Sequence, residues 1–286
     1  MIRASDGAVR VEKIRESCCA PILRWAGSKK RLLPHISPYL DVNFSSYIEP
    51  FAGSASLFFT EISARSVLAD SNFDLINFYL HLSRNPEVLY EEFISIIRSE
   101  ANYYKIRNDI IEEKDLLKRS IYFLYLNRNC FNGIYRTNRK GAFNVPFSDK
   151  RVARYPSKSA FDKAAAKLQD VTLYCSDFET VVRKEARSGD LIYFDPPYFS
   201  SEKRIFTEYG IKEFGPSDFE RLMVLCNDLT DMGVKVMLSF EGGDNVAGRL
   251  RGFNRINIAA RRTIASATKA RRRIEESLFL NFASIG

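Results

Sequence analysis

The stretch "SSYIEPFAGSASLFFTEI", residues 45–62, decides the fold. An apolar strand pattern runs into a turn of small residues around Gly53, and a helical pattern follows at once. Strand, turn and helix in this order form half of a βαβ unit. "RSVLAD" at 65–70 predicts the next strand, and "FDLINFYLHL" at 73–82 predicts the helix after it. The sequence therefore predicts an α/β fold built on a largely parallel sheet.

Strand patterns return in the second half of the chain, with amphipathic helices between them. They are "VTLYC" (171–175), "DLIYF" (190–194), "VKVMLSF" (234–240), "RINIAA" (255–260) and "ESLFLNF" (276–282). Residues 86–127 read as helical, and a hairpin-like "GAFNVPF" (141–147) precedes a further helix, "SAFDKAAAKLQD". We therefore expect an α/β sheet interrupted by a helix-rich, basic insert.

Composition excludes several classes of protein. The 286 residues are 45% hydrophobic and 27% charged, which is typical of a globular protein. The apolar runs are far shorter than the roughly 20 residues that span a bilayer, and the N-terminus lacks the apolar core of a secretory signal. Five cysteines without C-x-x-C spacing and two histidines give little material for a metal site. We expect a cytoplasmic protein that binds no metal.

The positive charge indicates a polyanionic partner. The net charge is +8, and basic residues concentrate in "RNCFNGIYRTNRKG" (128–141) and "RRTIASATKARRRIEE" (261–276). An isolated basic run is usually a solvated loop. In the first stretch, however, aromatic residues and asparagines are interleaved with the charges, a mixture typical of nucleic-acid binding.

Three predicted strands end in polar or small residues, "YIEPFAGSAS", "VLADSN" and "YFDPPY". Ligands of open α/β sheets bind beyond the carboxyl ends of the strands. After the first strand, the small residues around Gly53 allow a close backbone approach. After the second, Asp70 stands where an acidic side chain binds ribose hydroxyls. Either feature alone is usually ordinary packing, but together they predict a cofactor that carries an adenosyl group. No glycine-rich pyrophosphate motif accompanies them.

The third strand end, "YFDPPY" (193–198), suggests a chemistry. Two consecutive prolines stop the strand and lack N–H groups, so Asp195 and the carbonyls beside it form a corner of acceptors. Such a corner can accept both hydrogens of an exocyclic amine on a nucleobase, which returns the nitrogen lone pair for attack on an activated methyl group. Tyr198 would stack on the base. The alternative is a merely structural strand stop.

Six blocks of the chain then resemble a known family. "RWAGSKKRLLPHI", "YIEPFAGSASLFF", "VLADSNFDLINFY", "FLYLNRNCFNGIYRTNRKGAFNVPF", "YFDPPY" and "RRTIASATKARRRIEESLFLNF" occur in the order found in Dam-like DNA adenine N6-methyltransferases of the D12 class, the alpha group of amino-methyltransferases. The resemblance covers residue 22 to the end. It implies a Rossmann-like S-adenosylmethionine-dependent methyltransferase sheet with an inserted target-recognition domain. The chain departs from the family pattern where Ala55 and Ser28 replace glycines, and where Asp149 and Lys150 stand in place of the Arg and Tyr common in GATC-specific relatives.

The resemblance also implies a domain division and residue roles. Residues 1–21 would be a flexible arm, 22–80 and 160–286 the catalytic domain, and 81–159 the insert, with a DNA-reading hairpin near 128–147. Asp195, Pro196, Pro197 and Tyr198 would receive an adenine flipped out of the duplex. The implied contacts to S-adenosylmethionine are Trp25, Ala26, Lys29, Pro50, Phe51, Gly53, Ser56, Asp70, Ser71, Asp177, Phe178 and Asp195.

The insert would bind double-stranded DNA. The implied contacts are Arg128, Phe131, Asn132, Ile134, Arg136, Asn138, Asn144 and Pro146. Phe131 and Asn132 would fill the gap left by the flipped base, and Arg136 would read a guanine, which keeps GATC among the candidate sites. We expect a monomer. The alternatives are methylation of cytosine N4, methylation of RNA adenine, and a DNA-binding relative that has lost catalysis.

Overall fold

A computed structural model describes residues 18–138, 141–149, 154–197, 214–241, 244–260 and 274–283. Seven strands form one sheet in the order β3-β2-β1-β4-β5-β7-β6. Their bounds are Tyr47–Glu49 (β1), Ser66–Asp70 (β2), Val171–Cys175 (β3), Leu191–Phe194 (β4), Lys235–Glu241 (β5), Asn254–Ala260 (β6) and Ile274–Leu280 (β7). Strands β1 to β5 pair in parallel, and β7 pairs antiparallel with both β5 and β6. The predicted α/β fold is confirmed.

Eight helices of six residues or more accompany the sheet within the described ranges. They are Ser56–Glu61 (α1), Phe73–Arg84 (α2), Pro86–Ser95 (α3), Glu100–Asp109 (α4), Leu116–Asn129 (α5), Lys158–Lys167 (α6), Phe178–Glu185 (α7) and Pro216–Asp231 (α8). Shorter helical segments lie at Lys29–Arg31, Leu33–Ile36, Ser37–Leu40, Phe131–Gly133 and Asp244–Ala247. Side chains cap the first turns: Asn72 caps α2, Ser99 caps α4 and Asp115 caps α5.

The central strands β1, β2 and β4 are buried on both faces, which explains their continuous apolar sequences, whereas the edge strand β3 is half-buried or exposed. Alternate residues of β1 and β4 point to opposite sides. Tyr47 and Tyr193 belong to a core shared with α1 and α2, whereas Ile48 and Phe194 pack with α7 and α8. The first core continues without a break into α3, α4 and α5, which lie within residues 81–159, and into α6. These four helices therefore pack on the same core as one face of the sheet.

Strand order reverses at β1, because its neighbours are β2 on one side and β4 on the other. Parallel sheets bind ligands outside the carboxyl ends of the strands at such a switch point. The segment after β1 begins at Pro50, the segment after β2 at Ser71 and the segment after β4 at Asp195. The fold therefore brings the three unusual strand ends to one edge of the sheet.

Candidate active site

A hydrogen-bonded cradle joins the ends of β1 and β2. The backbone N–H of Gly53 donates to Asp70 Oδ2 at 3.0 Å, and that of Asn72 donates to Asp70 Oδ1 at 2.9 Å. Burial raises the pKa of the Asp70 carboxyl, although both backbone donors favour its charged form. The two bonds fix the carboxylate beside the small-residue turn, where it can accept further hydrogen bonds.

Gly53 is the residue that lets this turn close. Its φ is +46°, and a Cβ atom there would lie 2.8 Å from Trp25 Cδ1. Its carbonyl accepts the hydroxyl of buried Tyr79 at 2.7 Å. Two positions later Ala55 adopts φ +47° although it carries a side chain, a conformation that costs about 1–2 kcal/mol outside glycine. Trp25 therefore packs directly on the turn, and its contact with the cofactor stays a prediction.

Three serine hydroxyls tie residues 24–29, here called the Trp25 segment, to the start of α1. Ser28 Oγ lies 2.8 Å from Ser56 Oγ, and Ser54 Oγ donates to Ser28 Oγ at 3.2 Å. Ala26 lies half-buried in the same segment. Ser56 is among the predicted cofactor contacts, whereas Ser28 and Ser54 are not. The sequence offered a signal for both, because Ser54 belongs to the small-residue turn and Ser28 replaces a glycine of the resembled family.

An aromatic wall lies beside the cradle. The rings of Phe51 and Phe178 stack with centroids 5.1 Å apart, and Phe214 meets Phe51 edge-on at 5.8 Å. Asp177 caps α7 through the N–H groups of residues 179 and 180 and accepts Arg221 Nη2 at 2.5 Å. The Arg221 guanidinium lies 4.9 Å from the Phe178 centroid. Phe214 and Arg221 were not predicted, because neither follows a strand end.

Asp195 occupies the third strand end and is paired with a buried lysine. Lys29 Nζ lies 3.0 Å from Asp195 Oδ1 and also forms an ion pair with Glu276. Lys29 is 4% exposed and Glu276 3% exposed. Of the two prolines, Pro196 is buried and Pro197 half-buried. Asp195 thus belongs to a three-membered charge cluster reaching the segment that carries Trp25.

Two predicted features of the site lie outside the described residues. They are Tyr198 and the basic stretch 261–273. Residues 1–17 of the predicted arm are also outside them, whereas the N–H of Cys19 donates to the carbonyl of Phe59 at 2.8 Å. The last residues of the predicted arm are therefore attached to α1.

Glu49 is a buried carboxyl group that was not among the predicted site residues. It is the last residue of β1, is 3% exposed and accepts the Tyr47 hydroxyl at 2.9 Å. Burial, reinforced by the nearby charge of Asp195, raises the pKa of Glu49 to about 8. The carboxyl group therefore keeps its proton near neutral pH and adds no full charge to the cleft.

Glu49→Gln should make the free energy of unfolding less dependent on pH. Between pH 5 and 8 the unfolded chain releases a glutamate proton that the folded protein retains, so wild-type stability falls as pH rises through this window. Glutamine has no proton to release and still accepts from Tyr47. We expect the stability of the variant relative to wild type to increase by roughly 2–4 kcal/mol from pH 5 to pH 8.

Urea unfolding at the two pH values measures this difference. Glu112→Gln, at an exposed position, is the control and should change stability equally at both. A Glu49→Gln effect that is also equal at pH 5 and pH 8 would mean that the folded protein does not retain the proton.

The predicted hairpin presents one polar face. Residues 135–138 and 143–146 approach each other through an antiparallel bridge between Thr137 and Phe143. Inward-facing Tyr135, Thr137, Phe143 and Val145 are buried. Side chains of the opposite face are half-buried or exposed: Arg136, Asn138, Asn144 and Pro146. The alternation therefore places four of the predicted DNA-contacting residues on a single face.

Hydrogen bonds hold this face in shape. Arg136 Nε donates to Asn144 Oδ1 at 2.8 Å, which orients the guanidinium across the hairpin. Asn138 Oδ1 accepts the N–H of Ala142 at 3.1 Å and so closes the turn. Phe131 is 48% exposed, and its N–H donates to the Pro146 carbonyl at 3.0 Å. Phe131 and Arg136 therefore project from one fixed scaffold.

The remaining predicted DNA contacts differ in position. Asn132 is exposed with φ +55°, and Ile134 is half-buried. Arg128 is buried, and its guanidinium donates to the carbonyls of Ile22, at 3.1 Å, and Arg154. The hydrogen bonds of Arg128 join three chain segments within the protein. Its position is that of a structural residue.

The Trp25 segment also contacts the hairpin. The Trp25 and Tyr135 rings stack with centroids 5.3 Å apart. The side-chain amide of Asn127 accepts from the Arg24 N–H at 2.9 Å and donates to the Arg24 carbonyl at 2.7 Å. A Cβ atom on Gly133 would lie 2.6 Å from Arg24 Cβ. One short segment therefore packs between the cradle and the hairpin.

Two classes of feature are not found among the described residues. No described helix has the length and hydropathy needed to cross a membrane. Within the same ranges, no group of three His, Cys, Asp or Glu side chains is arranged to hold a metal ion.

Comparison with known proteins identifies the family. The model of the D12 class N6 adenine-specific DNA methyltransferases matches residues 25–264. The type II methyltransferase M1.LlaDCHI of Lactococcus lactis is 33% identical, over 92% of this chain and 96% of its own. A DNA adenine methylase of Vibrio cholerae is 34% identical, over 90% and 94%. The type II methyltransferase M.MjaIII of Methanocaldococcus jannaschii is 33% identical, over 92% and 99%. This chain, whose sheet brings Gly53, Asp70 and Asp195 to one edge, therefore belongs to the family of D12 class N6 adenine-specific DNA methyltransferases.

Proposed function

We propose that the methyl donor is S-adenosylmethionine, bound over the ends of β1 and β2. Asp70 would accept hydrogen bonds from the ribose hydroxyls, and the wall of Phe51 and Phe178 would face the adenine ring. The fit rests on the turn at Gly53, which leaves no room for a Cβ atom beside Trp25. A cofactor with a sulfonium centre also suits an edge of the sheet that carries the carboxylates of Asp70 and Asp195. When bound, it supplies an electrophilic methyl group.

The target would be an adenine turned out of double-stranded DNA into the corner at Asp195. Asp195 and the neighbouring carbonyls would accept the N6 hydrogens, which localises the nitrogen lone pair for attack. Tyr198 would stack on the base. The observation that carries this proposal is the Lys29–Asp195 ion pair of 3.0 Å, because it connects the target corner to the Trp25 segment that packs on the cradle.

The polar hairpin face would read the site. Phe131 and Asn132 would fill the gap left by the adenine, and Arg136, Asn138, Asn144 and Pro146 would meet base edges in the major groove. Residues 81–159 would then act as the recognition insert on a monomeric catalytic domain. Arg136 keeps GATC among the candidate sites. Because the proposed substrate is DNA, the enzyme would act in the bacterial cytoplasm, encoded by the bacterium or by a phage.

Sequencing that detects modified bases tests the proposal directly. DNA from cells that express the protein should carry N6-methyladenine within one short sequence, and purified protein should transfer labelled methyl groups to that duplex from S-adenosylmethionine. Label on cytosine, or transfer to RNA alone, would contradict the target. Duplex binding with no transfer would indicate a relative without catalysis.

Arg136→Ala should weaken discrimination at one base pair of the site. A bidentate arginine–guanine contact is worth about 1–3 kcal/mol, so the preference should fall roughly 5- to 150-fold. Transfer rates on a set of duplexes with single substitutions measure the change. Arg107→Ala, on α4 outside the hairpin, is the matched control and should leave the preference unchanged. An unaltered preference in Arg136→Ala would remove Arg136 from the reading residues.

A further inference from the structure

Glu276 has no role in the mechanism proposed above, although Lys29 connects it to Asp195, the residue proposed to receive the target adenine. The side chain is 3% exposed and forms an ion pair with Lys29, whose ammonium also binds Asp195. A buried carboxylate is costly unless it is paired and hydrogen-bonded. Its presence beside the proposed target corner therefore calls for a function.

We propose that Glu276 is a positioning residue for methyl transfer, which holds the Lys29 ammonium between two carboxylates so that the corner at Asp195 keeps a net negative charge. The inference rests on the proposed function, since it concerns the same target corner. Glu276 acts through Lys29 and contacts neither the base nor the methyl donor.

Strand pairing and a hydrogen bond hold Glu276 in place. Strand β7 pairs with β5, and β5 pairs with β4, the strand that ends at Asp195. The hydroxyl of Ser239, on β5, donates to Glu276 Oε1 at 3.0 Å, and Ser239 is 1% exposed. The carboxylate is therefore oriented by two paired strands, which gives it the rigidity that electrostatic preorganisation requires.

The charges of the cluster suit the transfer step. Formal charges of −1 on Asp195, −1 on Glu276 and +1 on Lys29 sum to −1. During transfer the carbon–sulfur bond breaks, the sulfur keeps its electron pair and N6 bonds to the methyl carbon. The positive charge thus moves from sulfur to N6, which afterwards releases a proton to water. A corner with net negative charge stabilises that new cation.

Without Glu276 the corner would be neutral. Lys29 would then have Asp195 as its remaining carboxylate in the cluster, and its ammonium would compete with N6 for the Asp195 oxygens. The substitution should slow the chemical step and leave the binding of DNA and methyl donor nearly unchanged, because neither ligand touches Glu276. A loss confined to kcat identifies an interaction that acts in the transition state.

Glu276→Gln tests this expectation with an isosteric side chain. We expect kcat to fall roughly 10- to 100-fold, with both KM values within about threefold of wild type. Ser239→Ala, which removes only the orienting hydroxyl, should give a smaller loss of the same kind. Asp190→Asn is the matched control, since Asp190, the residue before β4, is also 3% exposed and accepts the Arg187 N–H at 2.8 Å. It should lower stability and leave kcat per folded molecule unchanged.

A double substitution separates positioning from a structural role. Lys29→Met leaves the carboxylates of Asp195 and Glu276 near each other without the ammonium between them. In that background Glu276→Gln removes the repulsion, so it should raise the residual activity. Two independent structural losses would multiply instead. The fraction of folded protein is measured by titration with S-adenosylmethionine for Glu276→Gln. For variants that bind S-adenosylmethionine weakly, it is measured by circular dichroism.

The outcomes are distinct. Wild-type transfer to adenine with a Glu276→Gln kcat within twofold of wild type, or losses that multiply in the double variant, would overturn the role of Glu276 alone. A wild type that transfers no methyl group to any duplex would overturn the proposed function and this inference together.

Discussion

Asp195→Ala should reduce methyl transfer to adenine by about 10³-fold or more, while duplex affinity changes by less than about threefold. The substitution removes the carboxylate that accepts the N6 hydrogens, and positioned acceptors or donors of this kind are each worth about 10²–10³ in rate. It also leaves Lys29 with Glu276 as its carboxylate partner in the cluster. Single-turnover transfer and a fluorescence titration of labelled duplex measure the two quantities.

The matched control for Asp195→Ala is Asp162→Ala. Asp162 is a carboxylate on the exposed side of α6, paired with Lys158, and its loss should not change transfer. Transfer above about one per cent of wild type in Asp195→Ala would refute the role of its carboxylate. Parallel loss of duplex binding would show that the substitution disturbs more than the target corner.

Gly53→Ala should weaken the binding of S-adenosylmethionine by roughly 30-fold or more. A methyl group at position 53 would lie 2.8 Å from the Trp25 indole, at a φ of +46° that side chains rarely adopt. Relief of this clash requires the turn to shift, which lengthens the 3.0 Å hydrogen bond from the Gly53 N–H to Asp70. Isothermal titration calorimetry with S-adenosylmethionine measures the affinity.

Gly252→Ala is the control for the backbone part of this effect. Gly252 also has positive φ, at +74°, but a Cβ atom there would meet nothing within 4 Å. It should cost about 1 kcal/mol of stability and leave cofactor affinity unchanged. Equal affinities in wild type and Gly53→Ala would show that the cofactor does not bind over this turn.

The strands were predictable because short runs of apolar, β-branched and aromatic residues favour strands. The pattern placed β3 at its observed bounds and β4 within one residue of them. The hairpin was less regular than its sequence indicated. The structure has only isolated bridges there among the described residues, Cys130 with Phe147 and Thr137 with Phe143. Pro146 cannot donate to a ladder, which limits regular pairing beside it.

The candidate site was predictable where its residues follow strand ends. Gly53, Asp70 and Asp195 are such residues, since parallel strands bring their carboxyl ends to one edge. Glu276 was missed because it lies in the middle of a strand, where a charged residue reads as solvent-facing. The internal bonds of Arg128 were missed for a similar reason, because nothing local indicates that distant carbonyls will accept from a buried guanidinium.

The Trp25 segment has a consequence for engineering new target specificity. Arg24 and Trp25 contact Asn127, Gly133 and Tyr135 on one side and the glycine turn on the other. A hairpin transplanted from a relative would have to fit against Arg24 and Trp25 as well as contact the DNA. Grafts that exchange only the side chains of the polar hairpin face should therefore keep their turnover. Grafts that replace the whole hairpin should lose it unless residues 24 and 25 are replaced together with the hairpin.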